Sequence, residues 1–233
     1  MTVVILTLLA VTVGTAAMLL TPSVSNAQAL TQAQASEHHE VFPGPIVPAR
    51  FATALIATED HRFATEPGVD PLAIARVFLS GLTRSGDQGG ATLYQQLAKL
   101  LYTPDRGGLV VETEQVALAI KLKFSYSAPQ ILRMYAEVAY FGHGFYGLAA
   151  ASCGYFGRPA DRLSWAQGAL LAGLVQAPSA YDPLEHPGLA RSRQQHVIAR
   201  LVATGVLSQQ RADVALAIPL SHLLAGAGRT CGA

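Results

Sequence analysis

The sequence is short of charged residues, and the few basic ones are unevenly placed. Asp, Glu, Lys and Arg make up 13% of its 233 residues, roughly half the share of a typical soluble domain. Sixteen basic side chains nearly balance fifteen acidic ones, and none of the basic ones precedes Arg50. Such a chain has no positive field to attract a nucleic-acid backbone, which argues against a DNA- or RNA-binding role. Its hydrophobic content of 51% also excludes intrinsic disorder.

Cysteine is equally scarce. Cys153 and Cys231 are the two cysteines, which excludes a disulfide scaffold and a four-cysteine zinc site. We expect Cys153 to serve as a small buried apolar side chain, and a single bridge to Cys231 is the alternative. His38 and His39 lie in a polar stretch with no further ligand at zinc spacing, so we assign no metal to them.

A long uncharged run opens the chain. Residues 3–20 form eighteen consecutive positions without a charge, and as a helix they would extend about 27 Å. That length is just enough to cross a bilayer. A buried core helix is one alternative to a membrane anchor. Ala27-Gln28-Ala29 is typical of a signal-peptidase site, so a cleaved signal peptide is the other, and we favour the anchor and the signal peptide over the core helix. Either favoured interpretation places the rest of the chain across the membrane.

Helical signals dominate the remainder. Apolar residues recur at helical spacing from Pro48 onward, and Asp70-Pro71 predicts a helix that runs to about Thr83. Further helix starts are predicted by Thr92-x-x-Gln95, Ser127-x-x-Gln130, Ser164-x-x-Gln167 and Ser208. We therefore predict a mainly α protein in four parts: an anchor or signal peptide at 1–29, a linker at 30–47, a helical domain at 48–220 and a C-terminal tail at 221–233.

Glu59 is the first candidate for chemistry. It ends the helix that begins near Pro48, four residues after Leu55 and three after Ile56, and so shares their apolar side. Desolvation on that side would raise the pKa of a carboxyl group. A carboxylate tuned in this way is a candidate general base.

Five motifs, in order, resemble the family 51 peptidoglycan glycosyltransferases. They are ATEDHRFATEPGVDPLAIARV at 57–77, GGATLYQQLAKLLYTPDR at 89–106, ILRMYAEVAYFGHGFYGLAAASCGYFG at 131–157, ALLAGLVQAPSAYDP at 169–183, and the segment around Arg193 and Val197. The resemblance covers about residues 45–202. It implies a lysozyme-like helical domain behind an N-terminal membrane helix, with the domain on the outer side of the cytoplasmic membrane.

The same resemblance implies a reaction. Members of the family polymerise lipid II: the 4-hydroxyl of an acceptor sugar attacks the anomeric carbon of a lipid-linked chain, with inversion and release of undecaprenyl pyrophosphate. The implied partners are lipid II, the growing glycan chain, membrane lipid and other cell-wall synthesis proteins. No cofactor is required, although magnesium could assist the leaving group.

Site residues follow from the matched motifs. Glu59 matches the family's base, Glu114 the second essential acid, and Lys99 the lysine that neutralises the leaving pyrophosphate. Thr92 and Gln95 also form a capping box, Phe63 is expected to pack, and Arg193 is expected chiefly to support the fold. The resemblance thus implies a substrate-binding set of Asp60, Phe63, Thr92, Gln95, Gln96, Lys99, Arg106 and Arg193.

The third motif departs from the family pattern. Residues 109–123, LVVETEQVALAIKLK, lack its Arg-Lys pair. Counting from Thr103 places Glu114 in the acid position, whereas counting back from Lys121 places Gln115 there; we prefer Glu114.

The fourth motif departs as well, since Ala128 replaces a lysine and Glu137 an asparagine. Arg106 could compensate for the lost cations. Weakened activity, a non-catalytic lipid II-binding or scaffold protein of the same fold, and a lysozyme-like hydrolase therefore remain as alternatives.

Overall fold

Helices are the main regular structure in the residues that a computed structural model describes, namely 12–40, 42–63, 91–227 and 231. Within these ranges the β pairing is limited to one isolated antiparallel bridge, between Tyr140 and Tyr146. The prediction of a mainly α protein is therefore confirmed. The helix predicted from Asp70 to Thr83 lies outside the described residues.

The helices have the following bounds. Residues 12–20 are helical, and a single 3-10 turn spans Ala160–Arg162. The α-helices are α1 Ala27–Glu37, α2 Ala49–Glu59, α3 Leu93–Tyr102, α4 Leu109–Ser125, α5 Ala128–Val138, α6 Leu148–Phe156, α7 Trp165–Leu174, α8 Pro187–Ala203, α9 Gln209–Ala217 and α10 Leu220–Leu223.

Side-chain caps set the helix starts as predicted. Thr92 Oγ1 accepts the Gln95 N–H at 3.2 Å, while Gln95 Oε1 accepts the Thr92 N–H at 3.0 Å. Ser164 and Gln167 make the same reciprocal pair at the start of α7. These contacts satisfy backbone donors that a helix leaves free in its first turn.

The chain divides into two compact units. Among the described residues, the first unit contains 12–30, 63 and 91–131, and the second contains 31–40, 42–62, 132–227 and 231. We describe each unit by itself.

In the first unit, α3 packs on α4. The segment before α1 is fastened to this pair by side-chain hydrogen bonds. Lys121 Nζ donates to the Thr21 carbonyl oxygen at 2.7 Å, and Tyr126 donates its hydroxyl to the Val24 carbonyl at 2.9 Å. No helix among the described residues combines the length and apolar character that spanning a bilayer needs. Residues 3–11 of the predicted anchor lie outside the description.

In the second unit, α7 is the central helix. It packs against both α2 and α8, and every residue from Ala166 to Leu174 is buried. A helix apolar on all sides belongs inside a core. Two glycines permit close packing: a Cβ on Gly168 would lie 3.3 Å from the Phe51 nitrogen of α2, and one on Gly173 would lie 2.9 Å from Arg193 Cγ of α8.

The predicted linker at 30–47 is wrong in its first part, because residues up to Glu37 belong to α1. Ala27, Thr31 and Ala35 are buried at intervals of four residues on one face. The side chains on this face are small, so the sequence has no period of large apolar residues that would predict the helix. The stretch beyond α1 is also engaged: the His38 ring stacks on Tyr146 with centroids 3.5 Å apart.

The predicted C-terminal tail is likewise part of the fold. Leu223 in α10 is buried, and Cys231 is joined to Cys153 by a disulfide with a Cα–Cα distance of 5.6 Å. The expectation that Cys153 is a plain apolar side chain is therefore wrong, and the bridge is correct. Sequence alone did not establish it because the two cysteines are 78 residues apart.

We predict that removing this disulfide destabilises the protein. The Cys153→Ser, Cys231→Ser double variant should lose about 2–4 kcal/mol of unfolding free energy, because the crosslink restricts the unfolded chain. Urea unfolding of the oxidised protein, the reduced protein and the double variant measures this. Reductant should leave the double variant unchanged, and coincident curves for oxidised and reduced wild type would contradict the prediction.

Candidate functional site

Glu59 is the last residue of α2 and one half of an ion pair. The helix stops there because Asp60 leaves helical geometry at φ −157° and ψ 70°. Arg193 Nη2 donates to Glu59 Oε1 at 2.8 Å, and the two side chains are only 11% and 12% exposed. The prediction of apolar neighbours for Glu59 is therefore incomplete. Leu55 is buried, as expected, but the guanidinium of Arg193 also contacts the carboxylate. A guanidinium at this distance favours the ionised form of the carboxylate, which is also the form in which a general base acts.

Two contacts hold Arg193 in this position. Its Nε donates to the Gly173 carbonyl oxygen at 3.2 Å, and its guanidinium lies 5.9 Å from the centroid of the Tyr181 ring. The absent side chain of Gly173 leaves room for the Arg193 stem. The expectation that Arg193 chiefly supports the fold stays a prediction, and these contacts show which groups its side chain touches.

Tyr135 is a neighbour of Glu59 that the sequence analysis missed. It is 2% exposed. Burial, and then the negative charge of Glu59, raise the pKa of its hydroxyl well above the ordinary range. Tyr135 therefore remains a neutral hydrogen-bonding group beside the carboxylate. Asp60, predicted in the substrate-binding set, is also buried in this unit.

Glu137 lies where the family that the sequence resembles has asparagine, and its carboxylate accepts hydrogen bonds from within the fold. Its Oε1 accepts the Gly44 N–H at 2.7 Å and the Arg133 Nε–H at 3.3 Å. Burial raises the pKa of Glu137, although the Gly44 and Arg133 contacts act in the opposite direction. The carboxylate thereby ties α5 to the segment that precedes α2.

The other predicted residues belong to the first unit, where α3 presents four of them. Thr92 is buried, and it shares the capping box with Gln95. Gln96 donates to the Ala91 carbonyl at 3.2 Å. Lys99 lies one turn further along on the exposed side of the helix. Both a capping role and a substrate-binding role are predicted for Thr92 and Gln95, and these contacts show the capping role.

Phe63 packs in the first unit, as expected. It is 1% exposed, and its ring stacks on Tyr94 with centroids 4.9 Å apart. Lys123 Nζ donates to the Tyr94 hydroxyl at 3.1 Å and lies 5.1 Å from the centre of its ring. One of the chain's three lysines is therefore committed to this aromatic pair.

Arg106 and Glu114 meet across the turn between α3 and α4. Arg106 Nη2 lies 3.0 Å from Glu114 Oε2, with the side chains 53% and 21% exposed. Gln115 instead donates its amide to Thr103 Oγ1 at 2.9 Å. Glu114 and Gln115, the two residues that could fill the acid position of the third motif, therefore have different surroundings. Glu114 pairs with an exposed arginine, and Gln115 binds the residue that caps the end of α3.

The described residues do not fit a magnesium site. No group of three or more His, Cys, Asp or Glu side chains in that part of the chain is arranged to hold a metal. Glu114, the acid that could contribute a ligand, is already paired with Arg106.

Comparison with known proteins gives one family. A family model described as Transglycosylase matches residues 26–202. Penicillin-binding protein 1F of Bacillus subtilis is 35% identical over 170 residues, which are 72% of this chain and 24% of the relative. A protein of Cupriavidus necator named as a transglycosylase is 33% identical, over 75% of each chain.

Two further likenesses are also to penicillin-binding proteins. Penicillin-binding protein 1A of Mycobacterium tuberculosis is 37% identical over 70% of this chain and 20% of the relative. The crystal structure of penicillin-binding protein 1A from Haemophilus influenzae aligns with a TM-score of 0.45 at 21% identity, over 78% of this chain and 18% of that one. The chain spans about a quarter of the length of its penicillin-binding relatives.

We predict that Gly173→Ala disturbs the pair between Arg193 and Glu59. The new methyl group would lie 2.9 Å from Arg193 Cγ, so the unfolding free energy should fall by about 1–3 kcal/mol through overpacking. The matched control is Gly188→Ala in α8, where no heavy atom lies within 4 Å of the added carbon. That variant should be neutral or slightly more stable in urea unfolding. Equal midpoints for the two variants would contradict the prediction.

Proposed function

The chain belongs to the transglycosylase family, and from this premise we propose that it is a peptidoglycan glycosyltransferase that polymerises lipid II into β-1,4 glycan. Support comes from a family match over residues 26–202. The observation that carries the proposal is the ion pair of Glu59 with Arg193, because it holds an ionised, mostly buried carboxylate at a helix end.

In the proposed reaction Glu59 is the general base. Its carboxylate takes the proton of the acceptor 4-hydroxyl as the oxygen forms a bond to the anomeric carbon of the donor. The bond from that carbon to the pyrophosphate breaks, with inversion from α to β, and undecaprenyl pyrophosphate leaves. Arg193 is a positioning residue: it fixes the carboxylate through a charge-assisted hydrogen bond.

Lys99 is the proposed cation for the leaving pyrophosphate. Lys121 is engaged by Thr21, and Lys123 by Tyr94, whereas Lys99 is exposed on α3. A positive charge where negative charge develops stabilises the transition state. Gln96, on the same helix, is proposed to contact substrate.

We place the domain on the outer side of the cytoplasmic membrane. Two observations support this location. Disulfides such as Cys153–Cys231 persist in oxidising compartments. The first unit exposes large apolar side chains, namely Leu19, Leu20, Leu109, Val110 and Phe124, and exposed apolar patches mark contacts with membranes or proteins. The uncharged run at 3–20 is the proposed anchor or signal.

We predict that Glu59→Gln abolishes polymerisation. Glutamine keeps an acceptor for Arg193 but cannot take a proton, so lipid II turnover should fall by about 10²–10⁴-fold, the usual contribution of a general base. Gel analysis of labelled glycan measures the product, and urea unfolding checks that the variant folds. Glu185→Gln, at an exposed acid of the same unit, is the control and should retain full turnover. Wild-type turnover by Glu59→Gln would disprove the assignment.

A second candidate is a lipid II-binding or scaffold protein of the same fold that does not turn over. The pairing of Glu114 with Arg106 favours it, because the proposed second acid has its charge compensated by a neighbour. Lipid II binding by wild type with no polymer formed, under conditions where a known polymerase is active, would establish this candidate.

A variant of Arg106 tests the role proposed for this residue if the chain is an enzyme. If the chain is an enzyme and Arg106 replaces a cation missing from the third motif, Arg106→Ala should lower lipid II turnover about tenfold, the loss of one charge-assisted hydrogen bond. Arg162→Ala, at an exposed site in the second unit, is the matched control. Unchanged turnover in Arg106→Ala would remove Arg106 from the pyrophosphate site and leave its role as the partner of Glu114.

A further inference from the structure

A groove of about 420 Å³ opens on the second unit, at the start of α7 and along α9. Its walls are largely apolar and include Trp165, Val214 and Ile218. Val214 is 65% exposed, although it faces this groove from the middle of a helix. The volume falls within the range of sites that bind a ligand or an anchoring side chain.

The charged side chains at this groove are all positive. Arg50 and Arg211 line it, and no aspartate or glutamate does so among the described residues. Both arginines are exposed. In a chain with only 13% charged residues, two guanidiniums beside an apolar wall form a surface that complements apolar and acidic groups together.

A buried polar network holds the groove open. Gln194 is fully buried and donates to the Ala166 carbonyl at 2.7 Å. Arg191 donates to Gln194 Oε1 at 2.7 Å, to the Ile218 carbonyl at 3.2 Å, and to the Leu216 carbonyl. These bonds connect α7, α8 and the end of α9. The groove is thus formed before any partner arrives, which limits the ordering cost of binding.

The groove is remote from Glu59. Arg50 lies in the first turn of α2 and Glu59 in its last, so nine residues of helix separate them by about 14 Å along its axis. A molecule in the groove would therefore not occupy the position of the proposed base.

We propose that this groove docks a partner protein through a short peptide segment that carries apolar and acidic side chains. The apolar residues of the segment pack on Trp165, Val214 and Ile218. Its carboxylates pair with Arg211 and with the other guanidinium N–H groups of Arg50, whose Nη1 donates to the Leu163 carbonyl at 2.8 Å. Docking at this end of α2 attaches the partner while leaving Glu59 open.

Trp165 provides a direct test, because it is the only tryptophan in the chain and lines the groove. The probe is an end-capped eight-residue peptide of alternating leucine and aspartate, and its comparison peptide has lysine in place of aspartate. The acidic peptide should give a saturable, salt-sensitive change in Trp165 emission, and the basic peptide should give none.

Arg211→Glu is the principal variant. It should weaken binding of the acidic peptide at least about tenfold, since it places a like charge opposite the carboxylates. The substitution suits the fold, because Ser208 already caps the Arg211 N–H and glutamate three residues after a serine completes a capping box. Arg158→Glu, at an exposed arginine outside the groove lining, is the charge-matched control and should bind like wild type.

A second variant tests the apolar wall. Val214→Ser removes the apolar surface of an exposed side chain without changing its charge and should also weaken binding of the acidic peptide. Lipid II turnover of both groove variants should equal that of wild type. The proposal is overturned if neither peptide changes the emission saturably, if both peptides bind equally, or if Arg211→Glu binds the acidic peptide as tightly as Arg158→Glu.

Discussion

Close packing around the buried helix α7 fixes the pair between Glu59 and Arg193. The helix is covered on all sides, so α2 and α8 can both lie against it, and its two glycines set how near they come. Gly168 faces the start of α2, and Gly173 faces the Arg193 stem. The carboxylate and the guanidinium are 134 residues apart in sequence, and they meet because their helices share this neighbour.

Local signals in the sequence predicted local structure well. The capping boxes predicted at Thr92 and Ser164 are confirmed, because each depends only on contacts within four residues of sequence. The helical face of α1 was missed because alanine and threonine give no large apolar period. The disulfide, the Arg193 contact and the proximity of Tyr135 to Glu59 depend on residues distant in sequence, and single-sequence periodicity contains no information about them.

Several cations of this charge-poor chain have distinct positions among the described residues. Lys121 binds the segment that precedes α1, and Lys123 binds Tyr94. Arg193 is placed against Glu59, and Arg106 against Glu114. Motif matching identified Lys99 and Arg193 by position alone, but it could not tell a cation that faces solvent from one that a carboxylate already holds. In the structure Lys99 is exposed, whereas Arg193 and Arg106 are paired with carboxylates. This difference supports the role proposed for Lys99 at the leaving pyrophosphate.

The bond between Cys153 and Cys231 turns the C-terminal third of the chain into a covalent ring. The ring encloses α7, α8 and α9, and with them Gly173 and Arg193, whereas α2 and Glu59 stand outside it. A protease that cuts one exposed turn within the ring would open it without releasing a fragment. The nicked protein would keep its arginine on the same molecule as its carboxylate and would migrate as an intact chain until the sulfur bridge was reduced.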